Sequence, residues 1–224
     1  MKKKRPSLNK TIGIGLLLTI VTISLIWHYK KDKLIILCMG DSLTANGYPY
    51  WLQKKVRENN IKATVINRGI NGHTSGEYLH YLKRSNSLKE IDPDIVLLQL
   101  GTNDIRIDAD HTPTDHFIKN MNQIIMEISL YHHSKGKKLK ILISTITPIN
   151  DIRHISTFNH ESIRRVKDEI NPAIEEIAKR WRLILVDNYR LFLDHMDLVP
   201  DVHLSEEGYM RMAENWFKYL KMAI

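Results

Sequence analysis

The chain has a single cysteine, Cys38, among its 224 residues. No internal disulfide can form, so the domain must stand on its buried core alone. Cys38 lies inside an apolar run, which predicts a buried thiol. Internal repeats and low-complexity segments are also missing, so no repeat array or biased linker organises the chain. No G-x-G-x-x-G follows a strand-like run, which disfavours a dinucleotide site. Paired histidines occur within residues 131–138, but adjacent residues diverge on a helix and nothing there suggests a metal cage. No metal or organic cofactor is expected. Most of the chain also lacks an excess of either charge. The formal net charge is +8, but Lys2, Lys3, Lys4, Arg5, Lys10, Lys30, Lys31 and Lys33 against Asp32 place +7 of it in residues 1–33. The remainder carries +1, so nucleic acid is not an expected partner.

What the N-terminus does have is a membrane signal. Residues 1–10 form a positive n-region, and residues 11–27 are free of charge and apolar. Seventeen residues is short for a span, yet long for a cleaved signal segment. No A-x-A-like cleavage site follows, and Trp27 and Tyr29 stand where interfacial aromatics would. The expected organisation is a basic cytoplasmic segment over residues 1–10, a transmembrane signal-anchor over 11–29 and a short linker over 30–33. A catalytic domain over 34–224 follows, on the outer side of the membrane. The alternative is a secreted protein after cleavage of a signal peptide. Gly13 and Gly15 are two apart, not four, so they form no helix-dimerisation motif.

Five short apolar runs follow, over residues 34–39, 63–67, 95–100, 141–146 and 183–186. They are continuous and do not alternate, as strands covered on both faces should be. Helical segments separate them, over residues 49–60, 75–82, 114–133 and 161–182, and residues 205–220 close the chain. Thr114 is the expected cap of the third helix and Gly136 its stop. Pro172 should kink or interrupt the fourth. This alternation predicts an α/β fold with a five-stranded parallel sheet and right-handed crossovers. In such sheets, sites gather at the carboxyl ends of the strands.

The loops after those strand ends are therefore the candidates. After the first comes Gly40-Asp41-Ser42-Leu43, which sets a serine hydroxyl and its N–H at a strand-to-helix turn. A capping serine is the commoner use of such a position. After the second comes NRGINGHTS, residues 67–75, where Gly69 and Gly72 allow close backbone approach and Gly72 offers an unobstructed N–H. Taken alone, a turn needing positive φ is the better explanation of both. After the third comes GTND, whose Asn103 can donate its amide to a developing negative charge or close an Asx-turn. After the last comes DLVPDVHLSEEGY, residues 197–209, in which His203 is a base of near-neutral pKa with Asp201 two residues upstream. No single loop decides the matter. Together they bring a nucleophile, oxyanion donors and a base to one sheet edge.

These four blocks, in this order, resemble the SGNH or GDSL hydrolase family. The resemblance covers the chain from residue 34 to near its C-terminus. It implies a flavodoxin-like three-layer sandwich and metal-independent ester hydrolysis or acyl transfer. Ser42, His203 and Asp201 would be the catalytic residues, and Ser42, Gly72 and Asn103 the oxyanion hole. One departure stands out. The family's last block places an aspartate three residues before the histidine, where this chain has Pro200. Asp201 is the expected acid, with Asp197 or a backbone carbonyl as substitutes.

Such families deacetylate polysaccharides, cleave lysophospholipids or thioesters, or transfer acetyl groups. The expected substrate is a small ester or an acylated carbohydrate, with an acylated lipid or a thioester as the alternative. A six-residue strand rises about 20 Å, which would carry Ser42 away from the bilayer if the sheet stands upright. That favours an envelope or extracellular carbohydrate over lipid of the same leaflet. Tyr48, Tyr50 and Trp51 are expected to pack the first helix, with a pocket-lining role as the alternative. His154 and His160 are expected to be solvated. A catalytically silent binding module is the non-enzyme alternative, and the displaced aspartate is the one feature in its favour. The sequence gives no oligomeric state.

Overall fold

The computed structural model describes residues 33–136, 140–150 and 155–224. The expected anchor at 11–29 and His154 lie outside them. No helix among the described residues is long and apolar enough to cross a membrane.

Five strands form one sheet: β1 (Leu34–Gly40), β2 (Ala63–Gly69), β3 (Ile95–Gln99), β4 (Ile141–Ser144) and β5 (Ile184–Val186). Their order is β2-β1-β3-β4-β5. The β1–β3, β3–β4 and β4–β5 pairs run parallel, with Cys38 opposite Leu97 and Leu97 opposite Leu142. This is the flavodoxin-like strand order. Every residue of β3 and β4 is buried, whereas the edge strands β2 and β5 are partly exposed. The apolar runs are continuous because helices cover both faces of the central strands.

Nine α-helices connect or flank the strands among the described residues. They are α1 (Ser42–Ala45), α2 (Tyr48–Glu58), α3 (Ser75–Arg84), α4 (Ser87–Ile91), α5 (Thr114–Ser134), α6 (His160–Arg165), α7 (Asn171–Trp181), α8 (Asn188–Leu193) and α9 (Glu206–Ala223). Helices α2 and α9 pack together on one face, and α3, α5 and α7 pack on the other. Successive strand residues point to opposite faces. Leu37, Met39, Val96 and Leu98 accordingly join the α3/α5/α7 core. Cys38 is fully buried, and burial pushes its thiol up to about 12, so the expected inert thiol is observed.

Two local expectations need correction, and a third is refined. Thr114 does not cap α5: Pro113 holds that position, and the Thr114 hydroxyl donates to Glu169 Oε2 at 2.6 Å. The segment over 161–182 is helical and interrupted near Pro172, as expected, the interruption being a π-helical turn at Val166–Ile170 between α6 and α7. Proline lacks the N–H that the preceding turn would accept, so the hydrogen-bond ladder is interrupted there. The segments carrying α4 and α8 are helical, although the sequence pattern showed no helix in either; five- and six-residue helices are too short for a clear apolar period.

Candidate active site

At the tip of β1 the chain turns through Asp41 into α1. Asp41 caps that helix, its Oδ1 accepting the Leu43 N–H at 3.0 Å. Ser42 comes next and is only 9% exposed. Its Oγ lies 3.1 Å from His203 Nε2, across 161 positions of sequence. That is hydrogen-bond reach between a hydroxyl and an imidazole base.

His203 is delivered by the segment between a 3₁₀ turn (Met196–Leu198) and α9. Its Nδ1 faces Asp201 Oδ1 at 3.3 Å, and the same oxygen accepts the His203 backbone N–H at 2.6 Å. This answers the spacing problem. An aspartate can bond the N–H two residues ahead of it, so the carboxylate folds back over Val202 and meets the ring. Asp197 sits exposed on the 3₁₀ turn and forms no ion pair with His203 among the described residues. The loop is fixed from behind: the Asn150 N–H donates to Asp201 O at 3.0 Å and the Ser205 N–H to Leu198 O at 2.9 Å.

Asn103 and Gly72 stand beside each other. The Asn103 Nδ2 donates to His73 O at 3.0 Å, which aims the amide and leaves its second N–H to give. Gly72 has φ +75°, a left-handed conformation that a side chain resists, and a Cβ there would meet nothing within 4 Å. Gly69 fits neither reading, since its φ is not positive. A Cβ at Gly69 would strike the Ala45 backbone nitrogen at 2.2 Å, so this glycine serves the packing of β2 against α1.

Beneath these groups lies a buried polar layer that the motifs did not announce. Asp104 accepts the Ser75 N–H at 2.9 Å and the Ser75 hydroxyl at 2.6 Å, and Asn120 donates to that hydroxyl at 3.1 Å. Burial raises the Asp104 carboxyl above its ordinary range, against the pull of the Ser75 donors. Arg165, also buried, donates to Asp104 O at 2.9 Å and Thr112 O at 2.6 Å. This layer pins the turn that carries Asn103. Asp41 is fully buried against Thr102, whose hydrogen bonds, with that from the Leu43 N–H, favour its charged form. Burial raises the Asp41 carboxyl to about 7, with a smaller contribution from the Asp104 charge. The sequence signal for the layer is thin: an aspartate adjoining both Ser42 and Asn103, at strand tips where burial is expected.

Of the flanking aromatics, Tyr48 is core, stacked on Trp216 at 5.5 Å between centroids. Tyr50 is 70% exposed and Trp51 partly so. The expected helix packing therefore holds for Tyr48 and fails for Tyr50, whose side of α2 faces solvent. His160 opens α6 and is exposed, as expected. His132 is instead fully buried, its ring nitrogens 2.9 Å from Ile128 O and Pro93 O.

Comparison with known proteins identifies the family. An acetylxylan esterase of Xylanibacter ruminicola is 28% identical over 214 residues, covering 83% of this chain but 42% of that protein's length. Among solved structures, the lipase/acylhydrolase from Enterococcus faecalis superposes with a TM-score of 0.70 at 22% identity, covering 85% of this chain and 96% of its own. The carbohydrate acetylesterase Est24 from Sinorhizobium meliloti reaches 0.67 at 16% identity, covering 86% and 100%. The family model for GDSL-like lipases and acylhydrolases matches residues 38–211. The chain thus belongs to the GDSL-like lipase/acylhydrolase family, a family of ester-hydrolysing serine hydrolases.

Proposed function

We propose that the protein is a serine esterase that removes short acyl groups, chiefly O-acetyl, from carbohydrate. The observation that carries the reading is the 3.1 Å approach of Ser42 Oγ to His203 Nε2. The acetyl and carbohydrate preference is supported by the acetylxylan esterase relative.

In the proposed mechanism His203 holds its proton on Nδ1, towards Asp201, which leaves the Nε2 lone pair for Ser42. Ser42 Oγ attacks the ester carbonyl as its proton passes to Nε2. The N–H groups of Ser42 and Gly72 and the Asn103 amide hold the tetrahedral oxyanion. The imidazolium then protonates the leaving sugar hydroxyl, and the acyl group remains on Ser42. Water enters, gives its proton to Nε2 and releases the carboxylic acid, which regenerates the serine. A sugar hydroxyl in place of water would make the reaction an acyl transfer.

The proposal extends to location. Residues 11–29 anchor the protein and the domain works outside the membrane, supported by the charge-free run at 11–27 behind a basic n-region.

The test is hydrolysis of p-nitrophenyl esters from acetyl to palmitoyl by full-length protein in detergent, wild type beside Ser42→Ala. Serine-dependent turnover falling with chain length supports the acetyl reading, and acetate release from acetylated xylan extends it to carbohydrate. A preference for long chains moves the assignment to lipid esters. Absence of serine-dependent turnover on every ester leaves a binding module.

A further inference from the structure

Along the outer side of α3 runs an open groove of about 700 Å³, lined by His73, Glu77, His80, Tyr81, Arg84 and Ser85 among others. Its link to the site is His73, which lines the groove. His73 follows Gly72 directly, and its carbonyl accepts the Asn103 amide at 3.0 Å. A ladder of rings descends from that point: His73 meets Tyr78 edge-on at 6.4 Å, and Tyr78 meets Tyr81 at 5.7 Å. Tyr78 is core, so His73 and Tyr81, both half-buried, are the rings that face outward.

Polar groups interrupt the aromatic wall at intervals. The Arg84 guanidinium is held 3.0 Å from His80 Nε2. Glu77 uses one oxygen, Oε2, for the Thr74 N–H and hydroxyl in the capping box that starts α3, and its other oxygen is free of hydrogen bonds among the described residues. An acyl tail would need an enclosed apolar slot. This groove instead offers ring faces beside a carboxylate oxygen, imidazoles, a guanidinium and a hydroxyl, and it opens to solvent. Those features match a ligand with apolar ring faces and an equatorial fringe of hydroxyl groups.

We propose that the groove is a carbohydrate-chain subsite: it takes the sugar units flanking the acylated one, with a ring stacked on Tyr81 and hydroxyls bonded to Glu77, His80 and Arg84. The inference rests on the reading of Ser42 as the nucleophile of a carbohydrate esterase. It adds that the enzyme distinguishes an oligosaccharide from a small ester. The chain lies along α3, and its binding is felt only by substrates long enough to enter the groove.

The test compares p-nitrophenyl acetate with acetylated xylo-oligosaccharides of two and six sugars, using full-length wild type, Tyr81→Ala, Tyr81→Phe and Arg84→Ala. Wild-type kcat/KM rises from the short oligosaccharide to the long one. Tyr81→Ala and Arg84→Ala each lose about tenfold on the six-sugar substrate, through KM, and nothing on p-nitrophenyl acetate. Tyr81→Phe keeps the ring and retains most of the wild-type value. Arg84 is exposed, so its variant is free of the packing loss that Tyr81→Ala carries. Equal losses on p-nitrophenyl acetate would show a structural effect and overturn the subsite. So would a wild type indifferent to chain length, with deacetylation itself intact. A wild type that cleaves p-nitrophenyl acetate and no acetylated oligosaccharide overturns the carbohydrate reading, and the subsite goes with it.

Discussion

Ser42 and His203 face each other across 3.1 Å, yet they stand on very different ground. On the nucleophile's side, Asp41, Ser42, Leu43 and Thr44 are all buried, and α1 packs against β2. On the base's side, the His203 side chain is 45% exposed and that of Asp201 41%. The carboxylate that faces the imidazole also serves as the turn that shapes its loop. The nucleophile is thus placed by packing, which resists displacement, and the base by a short hydrogen-bonded turn open to water. Water screens the Asp201–His203 pair, so its electrostatic worth is small, as for exposed ion pairs generally. The contrast predicts that the protein tolerates little at the β1 tip and more at the loop before α9.

The largest effect tests the buried side first. Ser42→Ala removes the proposed nucleophile without changing the packing, and turnover of p-nitrophenyl acetate should fall by about 10⁵-fold or more. Its unfolding midpoint should stay at the wild-type value, because the lost hydroxyl bonds only the base. Residual serine-independent turnover near the wild-type rate would sink the mechanism outright. Asn103→Ala comes next. One oxyanion donor of this kind is worth about 2.7–4 kcal/mol, or 10²–10³ in kcat. The Asp104–Ser75–Arg165 layer should hold the turn in place, so circular dichroism should be unaltered while the rate drops.

Asp41 offers a way to measure how dry the nucleophile's side is. Its carboxyl, ordinarily 3.8, is raised to about 7 by burial. The folded state therefore keeps a proton that the unfolded chain releases above about pH 4. The contribution to stability is fully present below that pH, declines as pH rises, and is lost by about pH 7. Asn caps helices as well as Asp does, and Asp41→Asn carries no proton to lose. Between pH 5 and pH 8 the variant should gain roughly 3 kcal/mol of stability relative to wild type, read from urea unfolding at both pH values. Parallel pH profiles for the two proteins would mean that water reaches Asp41, and the comparison between the loops would weaken.

How much of this could be read in the sequence follows the same division. The strands were legible because a sheet covered on both faces needs continuous apolar runs. The candidates Ser42, Gly72 and Asn103 were legible because each lies within a few residues of a strand end, where the topology gathers function, and His203 because it is a histidine just before the last helix with an aspartate two residues upstream. The role of Gly69 was not legible because a glycine required for packing and one required for a turn or a ligand look alike in one dimension. Thr114 was misassigned because its hydroxyl found Glu169, 55 residues away, in place of its own helix. The buried layer of Asp104, Ser75, Asn120 and Arg165 was out of reach for the same reason: its members come from four separate segments and meet only after folding. The Tyr81 groove was hidden because it lies on a helix face whose residues show no motif.

The smallest expected effect is the one that bears most on the displaced aspartate. In related triads the orienting acid is buried, and its loss costs about 10⁴ in rate. Here Asp201 is two-fifths exposed and sits 3.3 Å from Nδ1, and water can supply an acceptor in its place. Asp201→Ala should therefore lower kcat by only about ten- to a hundredfold, well short of that figure. It also removes the acceptor of the His203 N–H, so part of the loss comes from a looser loop. Asp201→Asn separates the two contributions. Its amide oxygen still accepts the backbone N–H and faces Nδ1, while the charge is gone. If Asn restores most of the activity, the residue acts by shaping the turn, and exposure has made its charge dispensable. If Asn is as poor as Ala or worse, the charge matters despite the water around it, and the base's side is as finely arranged as the nucleophile's.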